Sequence, residues 1–469
     1  MNLNKKYLIK PFMKRITEKG FSTANNVFNM IVGTTGLGKT FTTFNTFIPH
    51  LFNKKNLDLV IFTYPTTEVY DKDDAIAVLR ETSGVQLVDN IDDAIFYLGQ
   101  GIKVFLPVTH QMILANKYFL DVIIGAGYKM GWFVDEPHTW LGCSSSENYK
   151  DVTGNYNALY GGVLYKMVAK VSAITPYVFG TTATPTNEHK HLLLPVGDME
   201  FKIINDYPST REIISACGWM GSVSYFDIEN PYEVGHIFSE FFGKHIEKNN
   251  LFGKRTMMIS CEAANGSMGY TIENILDLLK GEYISLGDFT SQTIVQITND
   301  FKGYVNIVNT NFNNGTYQLS YEKVDERTLI RNLNDPNHPS NIVLFVNKGK
   351  CGMNVHNIKS YFSFRKTNKK TSSNLKSKEI VDTPIQTLGR MMRIWTGVSN
   401  REFVKDWGYN LTEYVKSLNS VERNNLLELN SYDVCVPNND MWKEAIRVVR
   451  SKLNPSKTMA SDWMVKICS

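Results

Sequence analysis

Two groups of residues have the composition needed to handle phosphate. Gly33-Thr34-Thr35-Gly36-Leu37-Gly38-Lys39-Thr40 fits GxxxxGK[ST] at every fixed position. Glycines let such a loop curl so that successive N–H groups converge on phosphate oxygens, and a following helix adds a favourable N-terminal field for an anion. Lys39 then reaches the β- and γ-phosphates as a point charge, and the Thr40 hydroxyl ligates Mg2+. The second group is Trp132-Phe133-Val134-Asp135-Glu136, an apolar run ending in two acids. Adjacent carboxylates at a strand tip point in different directions, so one can serve a metal shell while the other faces an attacking water. Asp135 is therefore expected in the nucleotide and Mg2+ site with Thr40, and Glu136 is expected to orient and deprotonate the water.

The elements that must position these residues are short apolar strands. Asn29 to Val32, Leu57 to Phe62, Lys103 to Leu106, Trp132 to Val134 and Tyr177 to Phe179 are each followed by Gly, Pro, Thr or Asp. Strands alternating with helical segments predict a parallel α/β sheet whose ligands bind at the strands' carboxyl ends. A less regular stretch with Pro195, Pro208 and Pro231 follows. Strand signals resume at Arg255 to Ser260, Thr293 to Thr298, Ile342 to Val346 and Ser360 to Phe364. The expected organisation is a first domain over 1–200, a linker region over 201–249, a second α/β domain over 250–400 and a mostly helical, basic C-terminal extension over 401–469. In that extension Trp442, Ile446 and Val449, beside Lys443, Arg447 and Arg450, fit an amphipathic basic helix. It either extends a polyanion track or packs.

Composition excludes several classes. The chain has 469 residues, 43% hydrophobic and 20% charged, which rules out wholesale disorder and is too long for one core. The net charge of +4 permits a polyanionic partner without demanding one. A local cluster says more: Arg365, Lys366, Lys369, Lys370, Lys376 and Lys378 occur with no acid among them. The six cysteines are scattered without CxxC or zinc spacing, as expected of buried reduced thiols. The N-terminus lacks the apolar core of a secretory signal, and no apolar run reaches about 18 residues, so a membrane span is not expected. A cytoplasmic location is the expectation.

Taken in order, the motifs resemble those of superfamily 2 helicases and translocases. Asp135-Glu136-Pro137-His138 resembles the DExH box, Thr182-Ala183-Thr184-Pro185 the coupling motif III, Tyr64-Pro65-Thr66 motif Ia and Val108-Thr109-His110-Gln111 the T-x-Q box. Gly349 to Asn357 resembles motif V, and Gln386-Thr387-Leu388-Gly389-Arg390-Met391-Met392-Arg393 fits QxxGRxxR of motif VI. The flavour is that of type III restriction-enzyme helicase subunits and many viral helicases. The resemblance implies two RecA-like P-loop domains in tandem, with ATP and Mg2+ as cofactors and nucleic acid as partner, DNA favoured over RNA. It implies strand contacts from Pro65, Thr66, Thr109, Gln111 and Asn354, coupling through Thr182 and Thr184, and a role for Gln386 at the water or γ-phosphate.

Arg390 and Arg393 lie three apart and share a face if helical. Delivered from a second domain, such arginines stabilise charge on the transferring phosphoryl group, an effect of about 10³–10⁵ in rate. The expected catalytic set is thus Glu136, Gln386, Arg390 and Arg393. Two other classes fit less of the sequence. One is a packaging or remodelling P-loop ATPase of terminase type; the other is a non-motor nucleic-acid-binding protein with a decayed site. The C-terminal extension is also available to protein partners.

Overall fold

The computed structural model describes residues 20–32, 39–64, 76, 78–79, 82–116, 118–137, 163–182, 199–205, 218–262, 266, 268–285, 293–298, 302–311, 316–346, 355–365, 382–398 and 411–468. The chain divides into two compact units, the first ending at Pro208 and the second beginning at Ser209. Both are α/β, as expected for tandem RecA-like domains.

In the first unit, strands β1 (Val27–Val32), β2 (Leu59–Tyr64), β3 (Val85–Leu87), β4 (Lys103–Thr109), β5 (Met130–Asp135), β6 (Val178–Thr182) and β7 (Glu200–Asn205) form one sheet. Their order is β3-β4-β2-β5-β6-β1-β7, and every neighbouring pair is parallel. A parallel sheet is covered on both faces, which is why its inner strands β2 and β5 are buried throughout and read as apolar runs. Along β5, Trp132 and Val134 join the aliphatic core on one face. Phe133 turns to the other face, stacking on Phe179 with ring centroids 4.7 Å apart and near Phe47 of the helical segment after the phosphate loop.

The second unit contains β8 (Trp219–Phe226), β9 (Thr256–Ser260), β10 (Thr293–Thr298), β11 (Lys302–Asn311), β12 (Thr316–Lys323), β13 (Ile342–Phe345), β14 (Ile358–Ser363) and β15 (Ser431–Pro437). They are ordered β12-β11-β10-β13-β9-β14-β15-β8. The run from β10 to β8 is parallel, and β11 and β12 extend it as an antiparallel hairpin.

The structure departs from the sequence reading at the linker, the C-terminal extension and one cysteine. Residues 201–249, expected as a linker, contribute most of β7 to the first sheet, and β8 and the helix Pro231–Phe252 to the second unit. The extension after 400 is mostly helical but also supplies β15, inserted between β14 and β8. Its helix Asp440–Val448 takes the packing alternative: Trp442 and Ile446, with Val449 just after the helix, are buried among Leu388, Met391 and Tyr361 of the second core. Of the cysteines described, Cys261 and Cys435 are buried and reduced, whereas Cys468 is exposed. Among the described residues no helix is long and apolar enough to cross a membrane.

Strand β15 escapes sequence reading because of an acid in its middle. All seven of its residues are buried, Asp433 included. The carboxylate is compensated by Lys248 at 2.5 Å and by the fully buried Arg255 at 3.4 Å. Arg255 also donates to the carbonyls of Glu428 (2.8 Å), Lys359 (3.2 Å) and Ser431 (2.6 Å), tying β9, β14 and the C-terminal segment together. Burial pushes Asp433 up, but the two cations outweigh it and hold the carboxyl below its ordinary range. A depressed folded-state value means the contribution is complete above the unfolded value near pH 4 and is lost as pH falls through the folded one. Asp433→Asn leaves Arg255 without its counter-charge, so urea unfolding at pH 7 should show the second unit destabilised by about 3–5 kcal/mol. The part of its acid sensitivity carried by this group should also disappear.

Candidate active site

Parallel strands bring all their carboxyl ends to one edge, and the first sheet's register aligns the chemistry there. Val32, the last residue before the phosphate loop, pairs with Thr182; Thr181 pairs with Asp135; Val134 pairs with Thr63; and Tyr64 pairs with Thr109. Lys39 and Thr40 open the helix Lys39–Thr42, which continues through a π-helical turn, Thr43–Phe47, into Ile48–Lys54. Lys39 is buried and close enough to Asp135 to stabilise its negative charge.

The two acids leave the strand by different routes. Asp135 is the buried last residue of β5, and its Oδ1 accepts from the Thr181 hydroxyl at 2.6 Å. At Glu136 the backbone turns into the left-handed region, φ 48°. A side chain there costs on the order of 1 kcal/mol. The conformation is held by Glu136 N–H donating to the Thr181 carbonyl at 2.7 Å and by the Thr182 hydroxyl donating to Glu136 Oε2 at 2.9 Å. Burial, and then the Glu136 carboxylate, push Asp135 above the ordinary carboxylate range, while Thr181 and Lys39 pull it back. The charged form would be relieved by a further cation.

Among the described residues no group of three or more His, Cys, Asp or Glu could enclose a metal by itself. The oxygen donors Thr40 and Asp135 instead match the way Mg2+ is held, by one or two protein oxygens with phosphates and waters completing the shell. Residues and cation fit.

Two neighbours of the acids carry no motif signal of their own. Thr181 falls just before the residues that resemble motif III. His110 is wholly buried after β4, and its Nε2 lies 3.1 Å from the Asp135 main-chain oxygen, across the end of β2. A carbonyl only accepts, so Nε2 carries the proton. A histidine directly after a strand-ending threonine is the available signal. Thr109 and Gln111 flank it. The Thr109 hydroxyl accepts from Met112 N–H at 3.2 Å, capping the helix His110–Ala115, and Gln111 is exposed in its first turn. Gly33, Thr34, Thr35, Gly36, Leu37, Gly38, Pro65, Thr66, Thr184 and Asn354 lie outside the described residues, as does the side chain of Gln386.

In the second unit, Gln386 and Arg390 sit on the helix Asp382–Met391, with Arg390 buried. Arg393 is not on that helix, contrary to the shared face expected from spacing. The helix stops at Met391 because tertiary donors take the carbonyls at its end: the Lys359 ammonium those of Met391 (3.2 Å) and Arg393, and Gly218 N–H that of Met392 (2.5 Å). Arg393 remains near Arg390. Burial, and then the like charge of Arg390, disfavour its charged form. The Arg393 guanidinium donates to the Val355 carbonyl at 3.4 Å.

No family model and no curated protein matches this sequence. Solved structures with a similar fold include the DUF1998 helicase MrfA bound to DNA, at TM-score 0.51 and 12% identity over 94% of this chain and 51% of that one. The ATP-dependent Type ISP restriction-modification enzyme LlaBIII bound to DNA matches at 0.51 and 10% identity, over 100% of this chain and 29% of that one. The DEAD-box helicase Mss116 bound to ssRNA and UDP-BeF matches at 0.50 and 13% identity, over 99% and 82%. The chain thus spans about half of the first of these proteins and under a third of the second. At such identities the likeness is one of fold: the chain has two RecA-like domains, as those structures do.

The His110 contact has a measurable consequence. His110→Leu leaves the buried Asp135 carbonyl without this donor and should destabilise the first unit by about 1–3 kcal/mol in chemical denaturation.

Proposed function

We propose that this chain is a nucleic-acid-stimulated ATPase, a helicase or translocase of superfamily 2 type. The observation that carries the reading is the acid pair at the end of β5, with Asp135 held by Thr181 near Lys39 and Glu136 held by Thr182. The helicase folds it resembles, solved with DNA or ssRNA, support the same reading.

In this reading the loop Gly33–Thr40 cradles the triphosphate and Lys39 neutralises its terminal phosphates. Thr40 and Asp135 would hold Mg2+, which would supply positive charge to neutralise the phosphates. Glu136 accepts a proton from the water whose oxygen forms the new bond to the γ-phosphorus, and ADP departs with the electrons of the broken bond. Gln386, Arg390 and Arg393 belong to the second domain and act on the charge of the transferring group when the domains close. Closure with each turnover is what stepping along a strand requires. Thr182 and Thr184 couple that cycle to a strand contacted by Pro65, Thr66, Thr109, Gln111 and Asn354, largely through backbone phosphates and therefore without base reading. DNA is the favoured track. The finer likeness to type III restriction subunits and viral helicases rests on the spelling of the motifs.

The test is ATP hydrolysis by the full chain alone and with single-stranded DNA, duplex DNA or RNA. Turnover should rise with at least one of them. Glu136→Gln should keep ATP binding and lose about 10²–10⁴ in turnover. Wild-type turnover in Glu136→Gln would remove that residue from the base's role. Absence of hydrolysis under every condition would remove the reading as a whole.

A further inference from the structure

The turn carrying Arg393 is held by residues outside every motif. Lys359 on β14 is wholly buried, and its ammonium donates to the carbonyls of Met391 and Arg393. The Met392 carbonyl between them accepts from Gly218 N–H. Two residues on, Trp395 is gripped at both backbone groups by the Asn430 side chain: N–H to Oδ1 at 2.7 Å and Nδ2 to the carbonyl at 2.7 Å. Gly218 approaches so closely that a Cβ there would lie 2.7 Å from the Asn430 carbonyl oxygen, which only glycine permits. Asn454 Nδ2 in turn donates to the Gly218 carbonyl, and its Oδ1 accepts from Met220 N–H at 2.8 Å.

The Met391 carbonyl ends a helix and carries partial negative charge, and the Arg393 carbonyl just beyond it is a second acceptor, so a buried ammonium is well matched to the pair. A glycine cap would end a helix without burying a charge. Here the charge lies under the backbone of Arg393 itself. An arginine acting on transition-state charge must be held to within a fraction of an ångström, and supporting hydrogen bonds supply that constraint.

We propose that Lys359 and Asn430 are positioning residues for Arg393, so that the C-terminal segment, through Asn430, sets the geometry of the second domain's contribution to phosphoryl transfer. This rests on the functional reading above. It is tested in the full chain by a double-mutant cycle of Lys359→Met with Arg393→Ala, measuring nucleic-acid-stimulated kcat, KM for ATP and thermal unfolding. Lys359→Met should lower kcat about 10–100-fold with KM changed less than about threefold, and in the Arg393→Ala background it should cost less than about twofold more. An unchanged kcat, or the same loss in both backgrounds, overturns the proposal. If Lys359→Met does not fold, Asn430→Ser takes its place in the same cycle, since it removes the grip on Trp395 and leaves Lys359 intact. The same loss of kcat, confined to the background that retains Arg393, then supports the proposal, and an unchanged kcat or an equal loss in both backgrounds overturns it. A wild-type chain without ATPase activity would instead overturn the functional reading beneath it.

Discussion

The first unit is organised around one electrostatic constraint, two neighbouring carboxylates at the end of a buried strand. Charge there is expensive unless it is bonded and balanced. Thr181 and Thr182, consecutive on β6, each give a hydroxyl to one acid, and Lys39 supplies positive charge from the neighbouring helix. That arrangement requires β6 to lie between β1 and β5, which is where it lies. The left-handed turn at Glu136 is a consequence, since it separates two side chains that would otherwise follow the strand's alternation at one charged edge.

The second unit solves the converse problem, of buried cations. Arg255 and Lys359 are both wholly enclosed, and both are met mainly by backbone carbonyls, with Asp433 balancing Arg255 and Lys248. These contacts reach from β9 and β14 into the C-terminal segment. A region that looks like an appendage in sequence is therefore part of the second sheet and its core. The turn bearing Arg393 sits within the same set of bonds.

Much of this is legible in sequence where one physical rule governs. Strands buried on both faces announce themselves as apolar runs, so β1, β2, β4, β5, β6, β9, β13 and β14 are readable, as is β10 from its β-branched residues, and so are the acids that end β5. Where two rules compete, sequence misleads. Asp433 makes β15 look unlike a buried strand because its compensating cations lie far off in the chain. The Asn-rich β11 lacks apolar alternation and is held by ladder pairing to β12, where Tyr317, Leu319 and Tyr321 do alternate with polar residues. Arg390 and Arg393 have helical spacing, but donors from Gly218 and Lys359 end the helix between them. His110 and Thr181 are hidden for a related reason: their partners are set by strand order, which spacing does not encode.

The central claim, that the carboxyl edge of the first sheet is a magnesium–nucleotide site, is most directly tested by equilibrium binding of a fluorescent ATP analogue with Mg2+ or with EDTA, in the wild type and in Lys39→Ala. The account requires binding that is at least about tenfold tighter with Mg2+ and is lost in Lys39→Ala, since triphosphate and buried acids repel unless both cations are present. Binding indifferent to Mg2+ and to Lys39 would contradict it.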